Sequence, residues 1–341
     1  MQQEGALQVS TSPVPVIDIS RFDSGAGARA AIARQVDNAC RQYGFLVIRG
    51  HGIDARLIDR IDTTSRAFFD LPRVKKERYH LTDSESWRGY FAVQSSSLAK
   101  TLGIEEALPD LREYFTITNP DVDRTDPYYQ TPEASVIFAP NLYPTDIAGL
   151  QDAWEDYYRA MADLAEKLMR IFAVALDLDE RWFADKIDRH MTNLVVSNYP
   201  DPCGDESPDQ MRAGPHTDYG TLTILRAEDK PGGLEILTKE GDWSRVPILP
   251  DTFVINIGDL MARWTNDQWV STLHRVTAPP PGQRVGSRRL SLTFFHQPNW
   301  DAVVDCIPSC LGEDRRYPSI TSGEHLEAQR QMQHAVEGAK K

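Results

Sequence analysis

Cysteine and long apolar runs are what this sequence has least of, and both shortages limit the kind of protein it can be. The four cysteines of the 341-residue chain are too few and too scattered for a disulfide framework, so we expect a reducing, intracellular setting. No apolar run approaches the ~20 residues that span a bilayer. The N-terminus also lacks a basic segment followed by an apolar one, so we expect a cytoplasmic protein without a signal peptide or a membrane partner.

Positive charge is in deficit as well. The chain carries 37 Lys and Arg against 50 Asp and Glu, which gives a formal net charge of −13. Because nucleic acids and anionic membranes attract basic proteins, we expect neither as a partner. Hydrophobic content of 41% and charged content of 26% are ordinary for a globular protein, and the length accommodates two average domains or one large domain with added helices.

The first half of the chain alternates between helical and extended patterns. Residues 72–143 mix Pro, Ser, aromatic and charged residues, and we predict mostly loop with short elements there. Short strands are predicted at 14–19 and 43–53. Apolar residues recur at helical spacing in three segments, which we predict as amphipathic helices: 29–43, 54–69 with Asp54 as its cap, and a stretch from Thr145 or Asp146 to about Leu178.

The texture changes in the second half. From Thr192 to Phe295, short β-rich runs alternate with clusters of Pro, Gly, Asn and Asp. This spacing favours a sandwich or jelly roll over alternating βα units. The tail from Ser322 onward has the pattern of an exposed C-terminal helix.

The segment GPHTDYGTLTIL (214–225) carries the first chemical signal. His216 and Asp218 are two residues apart in a segment leading into a strand, so an extended backbone points both side chains to one face. Two histidines and one carboxylate on one face of a metal form the iron site of non-haem oxygenases. His274, in the later strand-like run VSTLHRV, is the candidate for the third ligand.

A His-x-acid pair alone carries little weight. With 8 His and 50 acidic residues in the chain, chance alone supplies roughly 1.2 such pairs. A second match, His325-Leu326-Glu327, lies in the predicted C-terminal helix. Residues two apart on a helix point away from one another, so we interpret this pair as a solvated helix face.

The run RRLSLTFF (288–295) adds a second signal. Arg289 and Ser291 are two apart on a predicted strand and project to the same face, whereas Arg288 faces the other way and is predicted to be solvated. A guanidinium fork beside a hydroxyl suits one carboxylate of a small diacid. Asn256 and Asp259, in NIGD, are interpreted as fixing a turn, and His296 as either near the substrate or on the surface.

Together these segments resemble the isopenicillin N synthase-like branch of the 2-oxoglutarate/Fe(II)-dependent oxygenases. The resemblance covers nearly the whole chain, in order and at the expected separations. It rests on VPVIDIS, YGFLVIRGHGI, DLREYFTI (110–117), NYP (198–200), GPHTDYGTLTIL, PGGLEIL (231–237), FVINIGDLMARWTND (253–267), STLHRV (271–276) and RRLSLTFFHQPNWDAVVDCIPSC (288–310).

The resemblance implies roles for individual residues. His216, Asp218 and His274 become the catalytic iron ligands. The anchor for the far carboxylate of 2-oxoglutarate consists of Tyr199, Arg289 and Ser291.

Other positions concern the substrate pocket. Phe295 matches an aromatic residue near the substrate, and Trp87 and Tyr90 lie in the region that relatives use to close over it. One departure affects the pocket wall: Val195 stands where relatives often have an arginine in the strand before NYP.

The same resemblance implies a fold and a reaction. We expect a mixed α/β (α+β) protein with a double-stranded β-helix, or jelly-roll, core and flanking helices. Its parts are an N-terminal region typical of the family at 13–125, a helical segment packing on the core at 126–187, the jelly roll at 188–300 and a helical tail at 301–341.

The implied activity uses Fe(II), 2-oxoglutarate and O2 to hydroxylate, desaturate or cyclise a small-molecule substrate, with release of succinate and CO2, in a monomer. Three alternatives stay open. They are an oxidase of the same fold that does not use 2-oxoglutarate, a non-enzymatic jelly-roll protein that binds small molecules, and a different metalloenzyme on a β-barrel, such as an isomerase.

Overall fold

The computed structural model describes residues 12–81, 88–104, 106–204, 206–312 and 314–338. The helices are α1 (Ala26–Gln42), α2 (Ala55–Phe69), α3 (Arg73–Lys76), α4 (Pro132–Ile137), α5 (Leu150–Ala175), α6 (Ala184–Ile187), α7 (Asp259–Trp264) and α8 (Ser322–Gly338). Short 3-10 turns lie at Glu77–Tyr79, Leu98–Leu102, Pro127–Gln130, Pro281–Gln283 and Pro308–Cys310.

The strands, in chain order, are β1 (Val16–Asp18), β2 (Phe45–Arg49), β3 (Gly89–Phe91), β4 (Glu113–Thr118), β5 (Asn193–Tyr199), β6 (Ala213–His216), β7 (Leu222–Ala227), β8 (Gly233–Leu237), β9 (Trp243–Arg245), β10 (Phe253–Ile257), β11 (His274–Thr277), β12 (Arg289–His296), β13 (Val303–Val304) and β14 (Ile320–Thr321). A large sheet has the order β1-β2-β10-β7-β12-β5-β4-β3, and a smaller one has the order β6-β11-β8-β9. Apart from the parallel pair β1 and β2, the pairings in these sheets are antiparallel.

The two sheets enclose an apolar interior, which is the expected jelly roll. Tyr199 and Val254 of the large sheet pack there with Ala213, Ile236 and Val276 of the small sheet. The other face of the large sheet packs on helices, above all on α5. Burial of one large apolar side chain stabilises the fold by roughly 1.5–3 kcal/mol. The apolar core between the sheets and the core between the large sheet and the helices therefore both help to hold the strands in register.

Two of the predicted helices agree closely with the structure, and the third begins later than predicted. Asp54 caps α2 as expected, because its Oδ1 accepts a hydrogen bond from the amide of Arg56 at 2.9 Å. The expectation that Thr145 or Asp146 caps the long helix was wrong. Gly149 has φ +72°, a left-handed backbone that cannot belong to a right-handed helix, so α5 begins only after it.

In the described part of 72–143 the structure has short elements separated by loops, as predicted. Its six-residue strand β4 pairs along its whole length with β5, and β3 adds an edge strand to the same sheet. Phe115 and Ile117 of β4 face the helices, while Tyr114 and Thr116 face the other way. Pairing with β5 stabilises this strand.

The C-terminal helix is not the exposed element that the sequence suggested. His325 is buried, and Gly323 packs so closely on Trp300 that an added Cβ would lie 2.1 Å from the indole ring. The interpretation of the His325 pair as a solvated helix face was therefore wrong for His325. Among the residues described, no helix is both long and apolar enough to cross a membrane.

Candidate active site

Strand pairing in the small sheet brings two histidines together. His216 ends β6, His274 begins β11, and the antiparallel register sets the two directly opposite each other, with ring centroids 4.2 Å apart. Asp218 follows His216 by two residues. Its Oδ1 lies 3.8 Å from Nε2 of His216 and 3.7 Å from Nε2 of His274.

Backbone carbonyls orient both imidazoles. Nδ1 of His216 lies 2.8 Å from the carbonyl oxygen of Gly214, and Nδ1 of His274 lies 3.1 Å from that of Thr272. Each Nδ1 therefore carries the proton and donates it, which leaves the lone pair on Nε2 facing Asp218. Burial, with the neighbouring His274, lowers the pKa of His216 to about 3, so this ring is neutral as a metal ligand must be.

Two polar side chains hold the carboxylate of Asp218. Its Oδ2 accepts one hydrogen bond from Oγ1 of Thr223 and one from Nδ2 of Asn256, each 2.6 Å long. Burial opposes the negative charge, but the two histidines and these two donors outweigh it, and the net effect lowers the pKa of Asp218.

The prediction that Asn256 and Asp259 fix a turn therefore holds for Asp259 only. Asp259 does fix a turn, because its amide donates to the carbonyl of Asp218 at 2.7 Å. Asn256, by contrast, binds the carboxylate itself. The sequence offered no signal for this contact, since it depends on β10 lying beside β7.

The donor set fits a metal ion. Within the described ranges, His216, Asp218 and His274 are the one group of three His, Cys, Asp or Glu residues whose ligand atoms all lie within 4.8 Å of one another. Two ligands each about 2.1 Å from one metal are at most about 4 Å apart. The Nε2–Oδ1 distances of 3.8 and 3.7 Å already meet that limit. Two imidazoles and one carboxylate are the ligand set of non-haem Fe(II) oxygenases.

The second predicted group, Arg289, Ser291 and Tyr199, also comes together. Arg289 on β12 is paired with Tyr199 on β5, and Cζ of Arg289 lies 5.2 Å from the Tyr199 ring centroid. Ser291 follows on the same face of β12. The side chain of Arg289 is buried, and its Nε has no hydrogen-bond partner among the described residues. Burial lowers the pKa of Arg289, so an anion beside it would relieve an unfavourable desolvation.

Arg288 faces the other side of the sheet, as predicted, but it is not simply solvated. Its Nε donates to Oδ1 of Asn198 at 2.9 Å, and its Nη1 contacts Asp70. Arg288 is therefore a partly exposed structural arginine directly beside the buried Arg289.

A continuous row of side chains leads from the triad to a cavity. Asn256, Thr223, Phe295, Asn193 and Thr118 are successive cross-strand neighbours on the interior face of the large sheet. With strands ~4.8 Å apart, the row spans about 19 Å. Its far end, Asn193 and Thr118, lines a cavity of about 600 Å³.

Met191, Gln297 and Trp300 add to this wall, and the rest of the cavity comes from two separate stretches of the chain. One is 88–137, which adds Arg88, Glu133 and Ile137, and the other is α8, which adds Leu326 and Glu327. Phe295 lies between the residues that hold Asp218 and the wall of this cavity.

Two other residues that were considered as substrate contacts, Tyr90 and His296, do not lie at the site. Tyr90 lies on the helix-facing side of the large sheet, where its ring packs near Phe68 and its hydroxyl donates to Oε2 of Glu113 at 2.6 Å. The expectation that Tyr90 borders the substrate was therefore wrong, because β3 points Phe91 inward instead.

Trp87 falls outside the described residues. His296 is buried beside Thr221 on the helix-facing side, so it is neither a surface residue nor at the interior row.

Comparison with known proteins places this geometry in a family. Residues 14–146 match the model for the N-terminal region of the non-haem dioxygenase in morphine synthesis, and residues 191–298 match that of the 2OG-Fe(II) oxygenase superfamily. The chain is 30% identical to validamycin A dioxygenase of Streptomyces hygroscopicus subsp. limoneus, over 93% of this chain and 85% of that protein. It is 32% identical to a 2-oxoglutarate-Fe(II) type oxidoreductase of Emericella nidulans, over 91% and 87%.

A solved structure agrees along nearly the whole length. A full-length Neurospora crassa protein, crystallised with alpha-KG, superposes with a TM-score of 0.82 at 28% identity, and the match covers 97% of this chain and 100% of that one. The same protein was also solved with alpha-KG and thymine. Alpha-KG is another name for 2-oxoglutarate.

Proposed function

This chain belongs to the 2OG-Fe(II) oxygenase superfamily and is a 2-oxoglutarate- and Fe(II)-dependent oxygenase, and from that premise we propose the role of each residue in its site. His216, Asp218 and His274 hold the iron, and Arg289, Ser291 and Tyr199 hold the far carboxylate of 2-oxoglutarate. The observation that carries the proposal is the mutual orientation of the three ligand atoms, fixed by the two backbone carbonyls and the two donors to Asp218.

Bound Fe(II), with 2-oxoglutarate and O2, supplies the oxidising power that turns 2-oxoglutarate into succinate and CO2 and oxidises a substrate C–H bond. The protein's own part is to position these groups. Asp218 contributes one negative charge and the histidines none, so the ligand set leaves the metal cationic and attractive to an oxo acid. All three residues that would hold the metal come from β6, the turn after it and β11.

The second group of residues suits the other end of a diacid. Arg289 is the third inward-facing residue along β12 from Phe295, which pairs with Thr223, the residue bound to Asp218. The anchor is therefore separate from the metal ligands but lines the same interior, as a diacid held at both ends requires. The buried guanidinium and the Ser291 hydroxyl provide donors for the anion.

We place the primary substrate, a small molecule, in the cavity of about 600 Å³ at the end of the interior row. Phe295 lies in the row between Thr223, which binds Asp218, and Asn193 at the cavity. Validamycin A is the substrate named for one relative, and thymine is bound in the Neurospora protein, so the family accommodates unlike molecules. The role of Trp87 in closing this cavity rests on the sequence alone.

We further propose that the protein acts as a cytoplasmic monomer that binds neither nucleic acid nor membranes. The support is the net charge of −13, which repels phosphate-rich surfaces. Sedimentation of the purified protein tests the monomer, and a faster-sedimenting dimer would contradict it.

The test of the proposed roles uses the adjacent arginines. Arg289→Ala removes the buried cation, and we expect it to raise the KM for 2-oxoglutarate by at least about ten-fold, since a charge-assisted contact contributes about 1.5–3 kcal/mol. Arg288→Ala, on the opposite face of β12, is the matched control and leaves that KM unchanged. Succinate release and oxygen uptake are the measurements.

The oxidase alternative makes a different prediction for oxygen uptake. If Arg289 held a substrate carboxylate instead, oxygen uptake would proceed without added 2-oxoglutarate. Oxygen uptake that strictly requires 2-oxoglutarate, with an equal amount of succinate released, excludes that alternative.

A further inference from the structure

Arg112, in the segment just before β4, is a second buried cation inside the barrel. The register of β4 against β5 pairs Glu113 with Asn198, so Arg112 lies beside Tyr199. Its guanidinium stacks over Tyr114, with Cζ 4.8 Å from the ring centroid, and Tyr114 is on the interior face. The side chain is only 12% exposed. Arg112 therefore lies in the same cross-strand row as Arg289 and Tyr199, on the interior face of the large sheet.

The charge of Arg112 is only partly compensated. Its Nε is buried and has no hydrogen-bond partner in the described part of the chain, and Oδ2 of Asp110 is 3.8 Å away, too far for a hydrogen bond. Both oxygens of Asp110 are already engaged, Oδ1 by the amide of Gly214 at 2.9 Å and Oδ2 by the amide of Leu98 at 3.1 Å. Tyr199, whose hydroxyl interacts with the guanidinium, and Asp110 outweigh burial and keep Arg112 charged, while Nε is left without a partner in the described part of the chain.

A third arginine, Arg212, has hydrogen-bond partners for its guanidinium. Arg212 also lies near Tyr199, with Cζ 5.9 Å from the ring centroid. Its terminal nitrogens donate to the carbonyls of Pro231 and Ser287 and to the Ser287 hydroxyl. Burial, together with the charge of Arg289, lowers the pKa of Arg212 to about 10. Three guanidiniums lie near one tyrosine, and Nε of Arg112 and of Arg289 has no hydrogen-bond partner in the described part of the chain.

Repulsion between buried like charges makes such a cluster costly unless an anion binds among them. The next interior position on β5 is Ser197, a neutral hydroxyl, and the one after it is the apolar Val195, so β5 supplies no cation. An anion at Tyr199 therefore meets Arg289 from β12 on one side and Arg112 from β4 on the other.

We infer that Arg112 is a second cationic contact for the far carboxylate of 2-oxoglutarate, on the opposite side of Tyr199 from Arg289. The inference rests on the proposed function of this site and adds to it a residue from outside the jelly-roll strands β5 to β12. In effect the carboxylate is held between two arginines, with the Tyr199 hydroxyl between them.

The experiment measures binding rather than turnover. Calorimetry on the Mn(II)-loaded protein gives the Kd of 2-oxoglutarate and of 2-oxopentanoate, which has the same chain length and the same oxo acid but no far carboxylate. Arg112→Gln keeps a polar side chain and removes the charge. We expect it to raise the Kd of 2-oxoglutarate by at least about ten-fold and that of 2-oxopentanoate by less than about two-fold.

Two further variants make the result decisive. Arg112→Lys keeps the charge and recovers part of the affinity for 2-oxoglutarate, and Arg288→Gln, on the helix-facing side, changes neither Kd. If Arg112→Gln does not fold, as judged by its melting temperature, Arg112→Lys still shows a smaller loss that is confined to 2-oxoglutarate.

Equal losses for both ligands, or no loss for either, would overturn the inference. The proposed function is tested separately by Arg289→Gln on the same two ligands. If Arg289→Gln discriminates between the ligands and Arg112→Gln does not, only the role of Arg112 fails. If Arg289→Gln also fails to discriminate, the assignment of the whole carboxylate anchor fails.

Discussion

Asn256 is the residue whose replacement best tests how the iron site is built. Its Nδ2 donates one of the two hydrogen bonds to Oδ2 of Asp218. The other carboxylate oxygen of Asp218, Oδ1, faces the two histidines. Asn256→Ala leaves Thr223 as the remaining donor, so the carboxylate is freer to rotate. A hydrogen bond to a charged group contributes about 1.5–3 kcal/mol, and loss of such a partner typically weakens metal binding about 10- to 100-fold. We therefore expect the Kd for Fe(II) to rise by about 10- to 100-fold.

The assay is an anaerobic titration of Fe(II) against a coloured chelator, which reads metal affinity directly. Thr223→Val removes the other donor to the same oxygen and should produce a loss of similar size. Asn38→Ala, on the exposed face of α1, is the control for a change of the same type that leaves the site intact. A Kd within about two-fold of wild type for Asn256→Ala, in a protein of unchanged melting temperature, would refute the reasoning.

Three more predictions follow from particular contacts. Asp218→Ala removes the anionic ligand, and we expect no measurable succinate release; full activity in this variant would contradict the triad. Tyr90→Phe removes a buried hydrogen bond to Glu113, so urea unfolding should show a loss of about 1.5–3 kcal/mol while kinetic constants stay unchanged. Burial lowers the pKa of His190 from 6.5 to about 4. The unfolded chain therefore takes up a proton that the folded chain refuses, and the free energy of unfolding should fall by about 3 kcal/mol as the pH drops from 6.5 to 4. His190→Gln should flatten that decline, and an unchanged pH dependence would contradict it.

Local spacing in the sequence was enough to predict which neighbouring side chains share a face, but not the approach of His274, which depends on the pairing of β6 with β11. Alternation along a strand puts residues two apart on one face, and that rule applies to His216 with Asp218 and to Arg289 with Ser291. Local rules also predicted the cap of α2 by Asp54. In each case the geometry depends on neighbours within a few residues, and the backbone conformation alone decides which side chains share a face.

Contacts between distant strands could not be predicted in this way. Asn256 reaches Asp218 because β10 lies beside β7, and Arg112 reaches Tyr199 because β4 lies beside β5. Tyr90 was misjudged for the same reason. Its position in a short edge strand is clear only once β3 is paired with β4, and a shift of one residue reverses the face of every side chain.

The two ends of the barrel interior differ in construction, which explains why the chemistry can be inferred and the substrate cannot. Around the metal and Tyr199, the side chains project from paired strands whose register is fixed by the backbone hydrogen bonds of two sheets. The wall of the cavity of about 600 Å³ instead combines residues of 88–137 with the C-terminal helix α8, two stretches that do not share one sheet. Packing contacts tolerate substitution more readily than strand register does. A family can therefore keep one oxidative chemistry while the far wall changes, which is consistent with relatives that differ as much as validamycin A and thymine differ from each other.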